Sequence, residues 1–449
     1  MRRLLSIAGA LLTIAGLILA VYLSHSHRER EAGQEEIQSI RQAFLAERAA
    51  YIEALQETAP DDDSAITEFD SVEEAEAFSG SHMELVYELV QGYIEDPLNI
   101  ATDSREKAAN RAQLAEDSGT IAPLEERLDP RGVEQERLLA ELRDWLTESE
   151  ELELFTQSIR HGFLEPVDET TPVFDRRYDF HLLRVRGYLT AKAIAHAQQG
   201  DCRRAVEALE AAYILRRYIA TDISVEELWS AFRFATSADR ALWVLVDEGC
   251  FDQEEAHALD ADVIVQADAE MLRTAIWRDA LETEYGLPSV WGNVGAEGGS
   301  LWVAYVLGRQ GRGGTEAGRQ LIPLVARQPF EVQEELEELM RRPEFQKGMT
   351  EYFVELAVWA FQDFRLREMT PQLLNVALAL RRHVQQHDHF PESLESLVPD
   401  GIEAIPVDPS TGESVQYELT DSGYEIRGAD PRTRAPGSRL LWRSHLAAQ

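Results

Sequence analysis

Lysine and cysteine are almost missing from this chain. Of its 43 basic residues only Lys107, Lys192 and Lys347 are lysines, and the 43 face 81 acidic residues, for a net charge of -38. A surface this negative repels phosphate backbones, whose binding depends on neutralisation by Lys and Arg, so nucleic acid is excluded as a partner. It repels anionic lipid head groups for the same reason. The acids are spread through the chain, which suits solubility better than a dedicated cation site. The only cysteines are Cys202 and Cys250, and neither CxxC nor a Cys/His zinc spacing occurs. GxSxG and HExxH are also absent, so no recognisable catalytic set, metal site or cofactor is expected from motifs. An enzyme built from scattered residues is not excluded by that.

What the sequence does have, close to its start, is one long apolar run. Residues 4–23 read LLSIAGALLTIAGLILAVYL, with no charge and no proline. At 1.5 Å per residue such a helix spans about 30 Å, the thickness of a bilayer core. Arg2 and Arg3 precede it, while Arg28 and Arg30 beyond it are offset by Glu29 and Glu31. The positive-inside tendency then places the N-terminus in the cytoplasm and the rest outside. The expectation is a single-pass inner-membrane protein with its bulk extracytoplasmic. A cleaved signal peptide is the alternative, although Ile18-Leu19-Ala20 is a poor cleavage site.

Beyond the run, helical periodicity dominates. Ile37, Ile40, Phe44, Leu45, Ala49, Ile52 and Leu55 predict an amphipathic helix over residues 28–58, ended at Pro60. Further helices are predicted over residues 83–94 and 133–152, with a polar excursion over 96–131. Residues 176–285 predict helix, turn, helix, turn, helix, with breaks at Gln199-Gly200-Asp201, Thr221-Asp222-Ile223-Ser224 and Glu248-Gly249. Ser224 is a candidate N-cap ahead of Glu226 and Glu227. The stretch Gly200-Asp201-x3-Ala205-x3-Leu209-x2-Ala212 resembles the turn and second helix of a tetratricopeptide repeat, in a single copy. Residues 286–316 are rich in Gly and Trp and predict a long loop or a pair of short segments. Helices follow over 316–343 and 345–387. After Phe390 a short helix, an Asp408-Pro409 turn and a β-hairpin over 414–427 are predicted, with Leu440-Leu441-Trp442 as a third strand. The fold class is therefore mainly α: antiparallel helical hairpins, TPR-like in part, with an N-terminal transmembrane helix and a small C-terminal β-hairpin module. Residues 1–23 form the anchor, 24–150 an extended helical and polar linker, 151–389 the helical body and 390–449 the tail.

Three features carry candidate chemistry. With helices over 180–198, 203–219 and 225–248 packed antiparallel, Cys202 and Cys250 fall at one end of the bundle. A disulfide there is feasible in an exported protein, and two unlinked, partly buried thiols are the alternative. The run Gly308 to Thr315 imitates a phosphate-binding loop, but Gly314 stands where its lysine belongs, so a flexible loop is expected. His383, His387 and His389 include an i, i+4 pair of the kind that can hold zinc. With Pro391 close by, they are read as a solvated helix end.

Two stretches resemble known proteins. GDCRRAVEALEAAYILRRYI and HDHFPESLESLVPDGIEAIPVDPSTGESVQYELTDSGYEI are similar to a large family of envelope proteins of planctomycete-type bacteria. The resemblance implies an N-terminal membrane helix, a helical body and such a tail, and it brings no activity with it. The tail also resembles the C-terminal region of type II secretion pseudopilins, in its Asp408-Pro409 turn and hairpin. It departs at Gly428-Ala429-Asp430-Pro431-Arg432, where one acid replaces the several oxygen ligands of a calcium loop. The leader's Gly-Phe site and following Glu are missing too. The functional expectation is a membrane-anchored scaffold that meets a protein partner. An accessory part of a secretion or pilus-like machine and an exported hydrolase are the alternatives.

Overall fold

In the computed structural model the described residues are 2–57, 133–163, 176–219, 223–251, 259, 264–265, 269–286, 313–346, 349–429 and 440–445. Eleven α-helices and one three-stranded sheet lie within them. The helices are α1 (Arg2–Glu57), α2 (Val133–Glu148), α3 (Glu150–Arg160), α4 (Arg176–Gln198), α5 (Cys202–Ile219) and α6 (Val225–Asp247). After them come α7 (Ala269–Leu281), α8 (Gly314–Val325), α9 (Pro329–Arg341), α10 (Met349–Arg367) and α11 (Thr370–His387). The helix expected over residues 83–94, the polar stretch after it and most of the Gly/Trp-rich segment lie outside the described residues.

The breaks follow local chemistry. Gly200 and Gly249 adopt φ of 80° and 84°, a conformation that costs glycine little and ends α4 and α6. The Ser224 hydroxyl accepts from the Glu227 amide at 3.0 Å, capping α6. Where one helix is expected over 133–152, the structure has two. The Ser149 hydroxyl accepts from the Leu152 amide at 3.2 Å and starts α3. Each of the two long helices expected after residue 316 is likewise divided. Pro329 and Pro371 fall in the first turn of α9 and α11, the one place in a helix where the missing N–H is harmless.

Three buried clusters organise the packing. One joins α2, α4, α5, the C-terminal half of α6 and α11 to the tail, where Leu209 and Leu242 share a core with Tyr424, Ile426 and Trp442. A second holds the N-terminal half of α6 with α7, α8, α9 and α10, through Phe232, Ile276, Leu321 and Phe361. A third lies between α3, α4 and α5. Helix α4 is buried on every side from Arg186 to Ala197; its alanines let neighbouring helices approach closely.

The C-terminal sheet has the order β1 (Gln416–Thr420), β2 (Gly423–Arg427), β3 (Leu440–Ser444), antiparallel throughout. The short helix ahead of it is a 3₁₀ turn over Leu394–Leu397. Asp408 organises the turn before β1. Its carboxylate accepts from the Ser410 amide at 2.8 Å and from the Ala429 amide at 3.0 Å. The sheet packs on α6, with Trp442 and Trp243 ring centres 6.0 Å apart. There the Asp247 carboxylate accepts from the Ser444 hydroxyl at 2.5 Å and the His445 amide at 2.8 Å.

Helix α1 is continuous for 56 residues, or about 84 Å. Its C-terminal half lies along the body. A Cβ on Gly33 would meet the Tyr285 ring at 2.5 Å, so only glycine permits that approach. Ile40 and Phe44 pack on the second cluster and Ile52 belongs to the third. The Trp277 indole donates to Glu36 at 2.8 Å, and the Gln56 amide donates to the Gly162 carbonyl at 2.7 Å. Among the described residues no helix is long and apolar enough to cross a membrane. The side chains of the apolar run at 4–23 are not among them.

Candidate functional site

Cys202 and Cys250 meet at the end of the bundle and are joined, with Cα atoms 4.7 Å apart at a sequence separation of 48. Cys202 opens α5 and Cys250 follows the turn after α6, so the bond ties two helix ends together. Arg381 of α11 donates to the Asp247 carbonyl at the same end. This cluster is structural: it fixes α5, α6, α11 and the tail against one another.

A second polar cluster lies between α3, α4 and α5. Lys192 is 1% exposed, and its ammonium donates to Glu153 at 2.6 Å and to the Thr156 hydroxyl at 3.2 Å. Burial pulls the Lys192 pKa below its ordinary value even though Glu153 favours the charge. For Glu153, burial works in the opposite sense to the charge and hydrogen bond of Lys192, and the net result lies below the usual carboxylate value. One turn further along α4, His196 is 1% exposed and neither ring nitrogen has a hydrogen-bond partner. Its nearest carboxylate oxygen, on Asp201, is 3.8 Å from Nδ1. Burial first, and Lys192 second, push its pKa down to about 4.

The amine of Lys192 is committed to Glu153 and Thr156, so the arrangement holds α3 and α4 in register. The sequence offered one signal for it. Lys192 is one of three lysines, and with His196 it interrupts the run Leu189-Thr190-Ala191-Lys192-Ala193-Ile194-Ala195-His196, a polar pair at i, i+4 on an otherwise small and apolar helix.

His196 gives a prediction. Its folded pKa of about 4 lies below the unfolded value of about 6.5. The unfolded chain therefore takes up a proton that the folded chain refuses, and stability falls as pH drops from about 6.5 towards 4. The loss at the lower end is on the order of 2–3 kcal/mol. Replacing His196 with Leu should shrink the stability difference between pH 7 and pH 4.5 by about that amount, read by urea unfolding. An unchanged difference would remove His196 from the acid response.

A third network joins α5, α6 and α10. The Tyr213 hydroxyl donates to Asp239 at 2.8 Å, and Arg367 pairs with the other Asp239 oxygen. Arg367 also donates to the Ile264 carbonyl at 2.6 Å. Burial, then the charge of Asp239, raises the Tyr213 pKa well above its ordinary value, so the phenol stays a donor.

The phosphate-loop imitation is answered by the chain itself. At the start of α8 the Glu284 carboxylate accepts from the Thr315 amide at 3.0 Å and from its hydroxyl. A Cβ on Gly314 would meet the Ala280 carbonyl oxygen at 2.7 Å. The helix N-terminus already holds an anion of its own, and Gly314 is there for packing. The rest of that motif lies outside the described residues.

The three histidines come together at the end of α11. Ring centres of His383 and His387 are 4.2 Å apart, and His389 lies 5.6 and 6.1 Å from them. The surface depression lined by Glu31, Gln34, Glu35, Gln38, Ser39 and Gln42 belongs to α1 alone. Comparison with family models, curated proteins and solved structures finds no match to this chain.

Proposed function

We propose that this chain is a membrane-anchored extracytoplasmic scaffold, held by the apolar run at its N-terminus and offering its acidic helical body to a protein partner. One observation carries the reading. The run at 4–23 and the segment seated on the body belong to a single helix, α1. From Gly33 to Gln56, about 35 Å of helix, α1 is built into the body through Tyr285, Trp277, two of the buried clusters and Gly162. With the apolar run retained as an anchor, that seat fixes the height and orientation of the body above the bilayer.

The family resemblance of the helical stretch and tail supports the same reading. The α4–α5 hairpin, with its seam of Ala191, Ala195, Ala205, Ala208 and Ala212, buried against neighbouring helices, is the TPR-like unit of the proposal. A place in a secretion or pilus-like machine is the second reading, favoured by the Asp408-Pro409 turn that leads into the β1–β2 hairpin.

The reading is tested by affinity capture of the full-length protein from detergent-solubilised membranes. A stoichiometric protein partner recovered with the full-length chain supports the scaffold. Capture of the chain alone, with turnover of a substrate by the purified protein, contradicts it.

A further inference from the structure

Strand β1 lies at one edge of the C-terminal sheet, with β2 as its neighbour there. The turn Asp421-Ser422 joins the two strands, and Thr420 faces Gly423 across it. In an antiparallel hairpin closed by such a turn, the closing pair exchanges both backbone hydrogen bonds, and every second pair does the same. Gln416, Glu418 and Thr420 therefore turn their N–H and C=O groups towards β2, while Val415, Tyr417 and Leu419 turn theirs outward. The Val415 amide finds the Pro406 carbonyl at 3.0 Å. Among the described residues the outward backbone groups of Tyr417 and Leu419 have no partner.

This edge is anchored from behind and open in front. The Tyr417 hydroxyl donates to the Pro391 carbonyl at 3.2 Å, and its ring centre lies 5.9 Å from that of Tyr424 in the core. The other residues of β1 are exposed, Leu419 to 47%. Proteins ordinarily guard such an edge with lysine, proline, a bulge or a covering element. β1 contains neither lysine nor proline, and the irregularity of the sheet falls between β2 and β3.

Charge selects the occupant. From residue 383 to residue 426 the chain carries ten acids and neither lysine nor arginine. Glu418, at the centre of β1, is exposed and has no ion-pair partner among the described residues. A second copy docked antiparallel about this position would set Glu418 opposite Glu418, and like charges directly opposite are destabilising. A basic side chain gains there what a second copy loses. We infer that the outer edge of β1 binds an extended, basic segment of the protein partner, which adds a fourth strand to the sheet. The backbone of that segment bonds Tyr417 and Leu419, a Lys or Arg stands opposite Glu418 and close to Asp421, and an apolar residue covers Leu419. The inference rests on the scaffold reading and gives its partner a place and a chemistry.

The experiment follows the fluorescence anisotropy of a short labelled peptide of alternating valine and lysine, titrated with the full-length protein in detergent. Physiological ionic strength screens the distant surface charges. Saturable binding at one site per chain is expected, and the same peptide with glutamate for lysine should not bind. Leu419→Pro removes an outward N–H and leaves the β1–β2 ladder its bonds, so it should weaken the peptide about tenfold or more. Glu418→Lys, at an exposed position, should weaken the lysine peptide by a similar factor and let the glutamate peptide bind. Binding that never saturates, or that is unchanged in both variants, would overturn the inference. So would a dimer of the chain in sedimentation that Leu419→Pro dissolves, since the edge would then belong to a second copy. Membrane capture separates the two levels. Capture of the chain alone removes the scaffold reading and this inference with it, whereas a partner still captured by the Leu419→Pro variant keeps the scaffold and overturns the edge alone.

Discussion

Replacing Asp239 with alanine is expected to destabilise the protein by about 3–5 kcal/mol, the range seen when one partner of a buried ion pair is removed. Arg367 is 5% exposed and Tyr213 is 1% exposed. With Asp239 gone, a guanidinium and a phenol would be left in the interior without their acceptor. The remaining bond from Arg367 to the Ile264 carbonyl does not neutralise the charge. The pair joins α6 to α10, so the loss should appear as a lower urea midpoint at unchanged slope. The double variant Asp239→Leu, Arg367→Met should recover most of it, because a well-packed apolar pair can replace a buried ion pair at little cost. A loss below about 1 kcal/mol in the single variant, the range of exposed ion pairs, would show that water reaches this network.

Breaking the Cys202–Cys250 bond is the second large effect. The bond closes a loop across 48 positions, and on the chain-entropy model that constraint on the unfolded state is worth about 4 kcal/mol. Reduction of the wild-type protein and the double substitution Cys202→Ala, Cys250→Ala should lower stability by similar amounts, and reductant should do nothing further to the double variant. The loop contains all of α5 and α6, so the effect should be global unfolding and not fraying at one end. Stability unchanged by reductant would mean that helix packing alone holds this end of the bundle.

Much of the body was legible in the sequence, because its breaks are made by residues with fixed physical preferences. Gly200, Gly249 and Ser224 stand where the chain turns or caps, and any sequence reading finds them. The division at Ser149 was harder to see, since a serine inside an amphipathic pattern is either a cap or a tolerated surface residue. Only the amide of Leu152 decides between them. Pro329 and Pro371 could have divided the later helices. Proline in a first turn and proline in a kink look alike until the neighbouring helix is in place.

The sites were less legible, for a different reason. The Glu153–Lys192 pair spans 39 residues, and the Asp239–Arg367 pair spans 128. Among 81 acids no sequence rule selects Glu153 or Asp239. Lys192 carries a signal, a lone lysine on a small-residue helix, whereas Arg367 is one of 40 arginines. The Thr315–Glu284 contact shows the converse case. A glycine-rich run followed by threonine suggested phosphate, and the structure supplies a carboxylate from 31 residues upstream. The tail was read as a separate module. Its Tyr424, Ile426 and Trp442 share a buried cluster with α4, α5, α6 and α11, which strand periodicity alone does not reveal.

Protease added to intact spheroplasts tests the orientation of this chain at a membrane most directly. The prediction is that the acidic body is digested from outside while a short fragment carrying residues 4–23 stays with the membrane pellet. A body that survives until the cells are lysed, or full-length protein recovered in the soluble fraction, would contradict it.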